Sequence, residues 1–298
     1  MTALIETHGL TKRYGSARGI EDVSIAVQAG EIYGFLGPNG AGKTTTIRTL
    51  LDLLHPTGGM ALVFGLDSHR ASLQIRARIG NLPGDFSCDP RLTGRAFLRF
   101  CALARGMDDL GSAQTLAQRF EADLDRRIGD LSRGNRQKVG LIQALFHEPE
   151  LLLLDEPTTG LDPLMQEEFV TVIGEYRDRG GTVLLSSHDL DEVERVCETV
   201  AIVRDGRIAA VENVAQLRGR AYHHVSIEFD APVAEREFSA LPGISGIETD
   251  GRRVSFKAFG DLDAVVKVAA HHTVKDLEVA EPSLEEIFLT FYGRDGAA

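Results

Sequence analysis

One octapeptide near the N-terminus constrains the fold of this 298-residue chain more than any other feature. Residues 37–44 read Gly-Pro-Asn-Gly-Ala-Gly-Lys-Thr and fit the pattern G-x-x-x-x-G-K-[ST]. The apolar run 32–36 precedes it and a helical pattern follows over 43–54, so the octapeptide is predicted to join a buried strand to a helix. Glycines here let backbone N–H groups turn inward around an anion, and the helix N-terminus adds the positive end of its dipole. The segment is therefore predicted to bind phosphate groups.

The side chains of this segment have separate predicted roles. Lys43 supplies a point charge for the β- and γ-phosphates of a nucleotide, and the Thr44 hydroxyl is a candidate ligand of Mg²⁺. The residues predicted to contact the nucleotide here are Gly37, Pro38, Asn39, Gly40, Ala41, Gly42, Lys43, Thr44 and Thr45.

Two adjacent carboxylates form the second chemical feature. The apolar run 151–154 predicts a strand that is buried on both faces, and Asp155 and Glu156 follow it directly. A carboxylate at the carboxyl end of a parallel strand points into the ligand crevice of such a sheet. Asp155 is predicted to hold Mg²⁺, directly or through water, and Glu156 to act as the general base on an attacking water. A solvated turn is the alternative interpretation, and the phosphate-binding segment disfavours it.

The pattern of apolar residues changes near residue 220. Up to there, buried strands alternate with helical stretches, which predicts a layered α/β core. Beyond it, Val225, Ile227 and Phe229 alternate with polar residues, as expected of half-exposed antiparallel strands. We therefore predict one domain at 1–219 and a small α+β domain at 220–298, which ends in an amphipathic helix over 282–291.

Composition excludes several classes of function. The formal net charge is -12, whereas a protein that binds nucleic acid by neutralising phosphates carries the opposite sign. The longest aliphatic runs are far shorter than the roughly 20 apolar residues needed to cross a bilayer. The three cysteines lack metal-binding spacing and are predicted to be free thiols. These features favour an acidic globular protein that does not bind nucleic acid.

Further motifs complete a recognisable set. Residues 131–135 read Leu-Ser-Arg-Gly-Asn, residues 157–163 read Pro-Thr-Thr-Gly-Leu-Asp-Pro, and residues 186–189 read Ser-Ser-His-Asp. In this order, with the two features above, they resemble the nucleotide-binding subunit of ATP-binding-cassette (ABC) transporters over about 1–219. The segment 282–288, Pro-Ser-Leu-Glu-Glu-Ile-Phe, is similar to the end of type-2 exporter ATPases, which include drug and antibiotic resistance subunits.

The resemblance implies a fold and a function. The implied fold is α/β, a P-loop NTPase ABC cassette with a mixed β-sheet core, a helical subdomain at about 85–147 and a small C-terminal α+β domain. The implied function is hydrolysis of ATP with Mg²⁺ to power a separate membrane permease, an exporter of small molecules or drugs. The subunit would then be peripheral, at the cytoplasmic face of the membrane.

Two other functions compete with this expectation. The first is a soluble ABC ATPase acting in translation or DNA maintenance, which the single cassette and the acidic charge disfavour. The second is a regulatory module that holds ATP without turnover, which the presence of Glu156 and His188 disfavours.

Several site residues are implied by the resemblance alone. Tyr14 would stack on adenine, and His188 would bond the γ-phosphate and the attacking water together with Glu156. In this family two cassettes form a head-to-tail dimer with two ATP molecules at the interface, so a homodimer that forms with ATP is expected.

Three residues are expected to act across that dimer interface. Ser132 and the amide of Gly134 would contact the γ-phosphate of the ATP held by the partner. Asp162 would order the interface and contact the partner's phosphate-binding segment.

The sequence departs from the family pattern at two places. A glutamine commonly follows the Leu-Pro of the loop that links the core to the helical subdomain, but here Gly84 and Asp85 follow. Either Asp85 replaces that glutamine near Mg²⁺ or the water, or the loop 82–95 only contacts the permease through apolar residues such as Phe86. Arg133 and Asn135 replace a glycine and a glutamine, and Arg133 either binds charge or faces solvent.

Overall fold

The computed structural model describes residues 3–15, 17–219 and 222–280. The helix predicted at 282–291 lies outside the described residues. The chain divides into two compact units, Met1–Asn213 and Val214–Ala298. The sequence placed the boundary between 219 and 220, after a helix that the structure assigns to the second unit.

The first unit combines strands and helices in alternation. Its strands are β1 (Ala3–Tyr14), β2 (Ala17–Val23), β3 (Ala26–Gln28), β4 (Ile32–Leu36), β5 (Gly58–Val63), β6 (Leu66–Asp67), β7 (Ile79–Leu82), β8 (Leu151–Asp155), β9 (Thr182–Ser187), β10 (Thr199–Arg204) and β11 (Arg207–Asn213). Its helices are α1 (Lys43–Leu50), α2 (Ser72–Ala77), α3 (Gly94–Ala104), α4 (Ala113–Arg119), α5 (Arg133–Leu145), α6 (Pro163–Asp178) and α7 (Leu190–Val196), with a 3-10 turn at Ile128–Asp130.

A six-stranded sheet forms the centre of the first unit, in the order β11-β10-β4-β9-β8-β7. Strands from β10 to β7 pair in parallel, and β11 pairs antiparallel with β10 at one edge. Every residue of β4, β8 and β9 is buried, as expected of strands covered on both faces. The predicted mixed-sheet α/β core is confirmed, since one sheet holds both parallel and antiparallel pairs.

A second, antiparallel sheet in the order β2-β1-β5-β6, with β3 paired to β1, packs against α1 and the central sheet through one apolar core. That core holds Ile5 and Val27 of this sheet, Ile47 of α1, and Phe35 and Leu153 of the central sheet. Full burial of such side chains contributes about 1.5–3 kcal/mol each, so this core fixes α1 against both sheets.

The chain between β7 and β8 forms α3, the short α4, the 3-10 turn and α5. These elements fall within the range 85–147 that was predicted to be helical. Thr93 caps α3, since its hydroxyl accepts a hydrogen bond of 3.1 Å from the Ala96 amide. On α3, Leu98 is fully buried whereas Phe100 and Leu103 are exposed.

The second unit is built on a four-stranded antiparallel sheet. Its elements are α8 (Val214–Gly219), β12 (Tyr222–Phe229), α9 (Arg236–Ser239), β13 (Ile244–Asp250), β14 (Arg253–Phe259), α10 (Asp263–Ala269) and β15 (Val274–Ala280). The spatial order is β13-β14-β12-β15. The alternating Val225, Ile227 and Phe229 all lie in its apolar core. Within the described ranges of the chain, no helix has the length and apolar composition to cross a membrane.

Candidate active site

The candidate site lies where three neighbouring parallel strands end. In the central sheet β4 lies beside β9, which lies beside β8. Leu36 is opposite Ser187, and Asp155 is opposite Ser186. Because the carboxyl ends of parallel strands meet at one edge, the segments that follow these strands converge there. The phosphate-binding segment, the two carboxylates and His188 are thereby brought together.

The backbone of the segment 37–42 requires glycine at particular places. Gly42, which precedes α1, has φ 111°, and Gly40 has φ 82°, both in the region that favours glycine. A Cβ on Gly42 would lie 2.7 Å from the Ile20 side chain, and one on Gly37 would lie 2.3 Å from the Val203 carbonyl oxygen. These contacts explain why the loop after β4 carries glycine at both ends.

Lys43 is a buried cation at the start of α1, with 5% of its surface exposed. Its Nζ donates to the carbonyl oxygens of Gly37 at 2.5 Å and of Pro38 at 3.3 Å. It also lies 3.3 Å from Glu156 Oε1. The ammonium group therefore sits between the phosphate-binding segment and the carboxylate that follows β8.

Oxygen atoms from the start of α1 and from the ends of β8 and β9 meet at Asp155. The Thr44 hydroxyl donates to Asp155 Oδ2 at 2.7 Å, and the Ser186 hydroxyl donates to Asp155 Oδ1. Asp155 itself is 3% exposed. A hydroxyl and a carboxylate are oxygen ligands of the kind that Mg²⁺ prefers, and Mg²⁺ sites commonly use one or two carboxylates. The donor set therefore fits the predicted cation.

Glu156 combines an unusual backbone with an unpartnered oxygen. Its φ is 51°, in the left-handed region that non-glycine residues rarely adopt and that costs on the order of 1–3 kcal/mol. His188 Nδ1 donates to Glu156 Oε2 at 2.6 Å. Oε1 is buried and accepts no hydrogen bond from the described residues, although the Lys43 ammonium is near. This oxygen can accept a proton from a water molecule placed in the site.

One pocket collects most of the residues predicted to contact nucleotide. Its lining comprises Tyr14, Gly19, Asn39, Gly40, Ala41, Gly42, Lys43, Thr44, Thr45 and Glu156. Tyr14 is 44% exposed, so its ring is available to a ligand. Gly19 was missed by the sequence analysis, and a Cβ there would lie 2.8 Å from the Tyr14 ring. No sequence signal distinguishes Gly19 from an ordinary turn glycine.

Ser132, Gly134 and Asp162 have local structural contacts within a single copy. Ser132 caps α5 by accepting from the Asn135 amide at 3.3 Å, and Asp162 caps α6 by accepting from the Met165 amide at 3.1 Å. A Cβ on Gly134 would lie 2.3 Å from the Gly160 carbonyl oxygen, so glycine is needed for close packing. None of the three lines the pocket around Lys43 within one copy.

Gln137 and Glu192 are partners of the site that the sequence analysis missed. Gln137 Nε2 donates to the carbonyl oxygens of Glu156 at 3.1 Å and Pro157 at 3.0 Å, which ties α5 to the chain after β8. The Ser187 hydroxyl donates to Glu192 Oε2 at 2.5 Å. Burial raises the pKa of Glu192 to about 7, although the hydrogen bond from Ser187 acts in the opposite direction. Only the folded arrangement makes these contacts visible.

Asp85 lines a different cavity from Lys43 and Thr44. That cavity is bordered by Gly84, Asp85, Phe86, Ser87, Cys88, Pro90, Ile128, Gly129, Arg133, Arg136 and Gln137. Gly84 is the residue of this loop that approaches Asp155, since its Cβ would lie 3.2 Å from Asp155 Oδ2. Phe86 is half-buried and packs edge-on against Phe97, with ring centroids 5.8 Å apart. The loop therefore offers less exposed apolar surface than the sequence suggested.

Comparison with known proteins places these features in a family. The ABC transporter family matches residues 20–159. The bacitracin transport ATP-binding protein BcrA of Bacillus licheniformis is 38% identical over 98% of this chain and 98% of its own. The daunorubicin/doxorubicin resistance ATP-binding protein DrrA of Streptomyces peucetius is 32% identical over 98% and 93%. The fluoroquinolones export ATP-binding protein Rv2688c of Mycobacterium tuberculosis is 32% identical over 98% and 94%.

Solved structures agree with this assignment. A structure of the ATP binding subunit of an ABC transporter has a TM-score of 0.66 and 31% identity, over 72% of this chain and 92% of that one. The dimeric cassette MJ0796 has a TM-score of 0.65 over 70% of this chain and 98% of that one, and at 23% identity it supports the fold alone. The chain belongs to the ATP-binding subunits of ABC transporters, and it is an ATPase.

Proposed function

We propose that this ATPase powers a separate membrane permease that exports a small molecule such as a drug or antibiotic. The observation that carries the proposal is the extent of the similarity to BcrA, which covers 98% of both chains and so includes the second unit as well as the cassette. The relatives named for drug resistance and fluoroquinolone export match over equally long ranges. In this proposal the subunit is peripheral, at the cytoplasmic face of the membrane.

The phosphate-binding segment would hold the phosphates of ATP. Backbone N–H groups of 37–42 and the N-terminus of α1 provide the electrostatic site, and Lys43 adds a full charge. That charge is nearly excluded from water, which strengthens its attraction to an anion. Tyr14, exposed at the rim of the same pocket, would stack on the adenine ring.

Thr44 and Asp155 would hold Mg²⁺, since their oxygens already meet at 2.7 Å. When bound, Mg²⁺ would neutralise part of the charge on the phosphates and polarise the phosphoryl oxygens. The Ser186 hydroxyl holds the other oxygen of Asp155, so the carboxylate is oriented before any ligand arrives. Orientation of this kind by an outer partner is typical of cation sites.

Glu156 would act as the general base. Its unpartnered Oε1 accepts the proton of the attacking water while that water's oxygen bonds to the γ-phosphorus and the bond to the leaving ADP breaks. His188 holds Oε2 at 2.6 Å and so fixes the carboxylate. The Gln137 side chain fixes the backbone of Glu156 by donating a hydrogen bond to the Glu156 carbonyl oxygen.

A second copy of the chain would complete each site. Ser132 and the N-terminus of α5 from one copy would reach the γ-phosphate held by the other, and Asp162 would order the interface. The support is that these residues lie outside the pocket around Lys43 within one copy. The helix N-terminus that follows Ser132 offers N–H groups to an anion.

Ser132→Arg tests this role. We expect the ATP-dependent dimer to be weakened by at least about tenfold, because an arginine obstructs a tightly packed interface. The ATP affinity of the monomer should change less than about threefold, since the residue would act on the partner's nucleotide. Analytical ultracentrifugation with ATP and titration at low protein concentration measure the two quantities. Thr93→Arg is the matched control, since it also replaces a helix N-cap and should leave dimerisation intact. Equal loss of monomer affinity in Ser132→Arg would contradict the role.

Asp85→Ala separates the two interpretations of the loop 82–95. We expect the basal ATPase rate of the purified subunit to change less than about threefold, because Asp85 is an exposed residue that lines a different cavity. If Asp85 instead helps to hold Mg²⁺ or the water, the rate should fall about tenfold or more. Asp89→Ala, in the same loop and paired with Arg91, is the control that reports on loop structure alone.

The proposed coupling to a permease is tested in membranes of the source cell. The chain should co-purify from detergent-solubilised membranes with a polytopic membrane protein, and its ATPase rate should respond to an exported compound when that complex is returned to lipid. Association with ribosomes or DNA in place of membranes would support the alternative of a soluble ABC ATPase and overturn the proposal.

A further inference from the structure

Two histidines and an aspartate converge on the surface of the first unit, and none of them lines the pocket around Lys43. Asp52 and His55 follow α1, and His69 follows β6. The Nδ1 atoms of His69 and His55 lie 2.7 Å and 3.1 Å from the same atom, Asp52 Oδ1. The two rings meet edge-on with centroids 4.6 Å apart. One ligand atom from each residue therefore lies within 4.8 Å of the others, a set we call the Asp52 cluster.

Asp52 lies just beyond the C-terminal end of α1, where its charge is not favoured by the helix. It follows the cap residue Leu51 of α1 and has φ 57°, in the left-handed region where helices usually place glycine or asparagine. A carboxylate beside a helix C-terminus also faces the negative end of the helix dipole. The partners of the Asp52 carboxylate are therefore the two histidines rather than the helix end.

The surrounding contacts hold the three groups in place. The His69 amide donates to Asp67 Oδ1 at 3.0 Å, and the His55 carbonyl oxygen accepts from Lys12 Nζ at 2.7 Å. The Asp52 side chain is 12% exposed, whereas the His55 and His69 side chains are 69% and 61% exposed. The backbone is thus fixed on both sides of the cluster while solvent can reach the imidazole rings.

We propose that Asp52, His55 and His69 bind a divalent cation of the zinc type. Two imidazole nitrogens and one carboxylate oxygen are a ligand set that suits Zn²⁺, with water completing the coordination. Mg²⁺ prefers oxygen ligands, so this site differs in metal preference from the one at Thr44 and Asp155. The bound cation would link the end of α1 to the chain that follows β6.

Binding requires a defined rearrangement of protons. Each Nδ1 that now donates to Asp52 Oδ1 must present its lone pair to the cation. A neutral ring achieves this by carrying its proton on Nε2, and a charged ring releases one proton to solvent. The Asp52 carboxylate then loses two N–H donors and gains a bond to the cation. The alternative is that the cluster is a hydrogen-bonded surface feature without metal affinity.

Zinc titration of the untagged, chelator-treated full chain distinguishes these outcomes. Calorimetry with Mg²⁺ in large excess, so that oxygen-ligand sites are blocked, measures the Zn²⁺ stoichiometry and affinity. Loss of a residue that only orients a metal ligand commonly weakens metal affinity about 10–100-fold. His69→Ala removes a ligand itself, so the Zn²⁺ affinity of this site should fall at least about tenfold. The double variant His55→Ala/His69→Ala should bind one Zn²⁺ fewer per chain and lose the rise in Tm that Zn²⁺ gives the wild type.

A matched control separates this site from general histidine binding. His8 is 58% exposed and lies 3.5 Å from the single carboxylate of Glu6, so His8→Ala removes a histidine–acid pair that lacks a second imidazole. It should retain the wild-type stoichiometry. Equal Tm of the double variant and the wild type without metal shows that the fold is intact. An unchanged Zn²⁺ stoichiometry in the double variant, or no Zn²⁺-dependent rise in the Tm of the wild type, overturns the proposal.

Discussion

Glu156→Gln is expected to slow steady-state ATP turnover at least about 100-fold, since a positioned general base contributes roughly 10²–10⁴-fold. The variant keeps the shape of the side chain and can still pair with His188, but its amide cannot take a proton from water. The carboxylate oxygen that loses this role is the buried Oε1, which has no hydrogen-bond donor among the described residues. ATP binding should persist, because the phosphate-binding segment is untouched. The variant should therefore accumulate as an ATP-bound dimer.

Phosphate release and gel filtration with ATP and Mg²⁺ measure the turnover rate and the accumulated dimer. Glu198→Gln is the control, since its carboxylate pairs with Arg177 on the surface and its loss should change the rate less than about threefold. Undiminished turnover in Glu156→Gln would remove Glu156 from the role of general base.

Lys43→Met is expected to weaken ATP binding at least about 30-fold, which corresponds to about 2 kcal/mol of binding free energy. This is the lower end of the cost of truncating one partner of a buried charge pair. Methionine keeps the apolar stem but removes the ammonium that lies nearly excluded from water beside the phosphate-binding segment. Because a buried charge is screened much less by salt than an exposed one, most of the loss in ATP affinity should persist at high salt.

Equilibrium titration with ATP, at low and high salt, measures the loss in Lys43→Met. Lys267→Met is the matched control, since its ammonium pairs with Asp263 on an exposed face of the second unit and its removal should leave ATP affinity unchanged. Circular dichroism establishes that the fold survives. An ATP affinity within threefold of the wild type would contradict the phosphate-binding role of Lys43.

The fold and the centre of the site could be predicted because their constraints are local in sequence. The segment 37–44 predicts its own loop, since Gly40 and Gly42 have a positive φ that glycine adopts without strain. The runs 32–36 and 151–154 are apolar throughout because the strands are covered on both faces. Asp155 and Glu156 follow one of these strands directly, so a sheet edge brings them to the phosphate-binding segment.

The remaining contacts depend on packing between distant segments and leave no local pattern. In the sequence, Gln137 is an ordinary polar residue of a helix. The structure shows that its side-chain amide donates to the Glu156 carbonyl oxygen. Glu192 is likewise an ordinary acidic residue in the sequence. The structure buries its carboxyl group, which accepts a hydrogen bond from the Ser187 hydroxyl. Phe86 was expected to offer apolar surface for docking of the permease, but it is half-buried and packs edge-on against Phe97 of α3.

Mixing two inactive variants tests most directly whether each site combines the phosphate-binding segment of one copy with Ser132 of another. Ser132→Arg and Lys43→Met should each have little ATPase activity alone. In a mixed dimer one site carries both substitutions and the other carries neither. If the two variants pair at random and each intact site turns over independently, half of the dimers are mixed and the mixture should recover about a quarter of the wild-type rate. A mixture no more active than the sum of its two components would contradict the account.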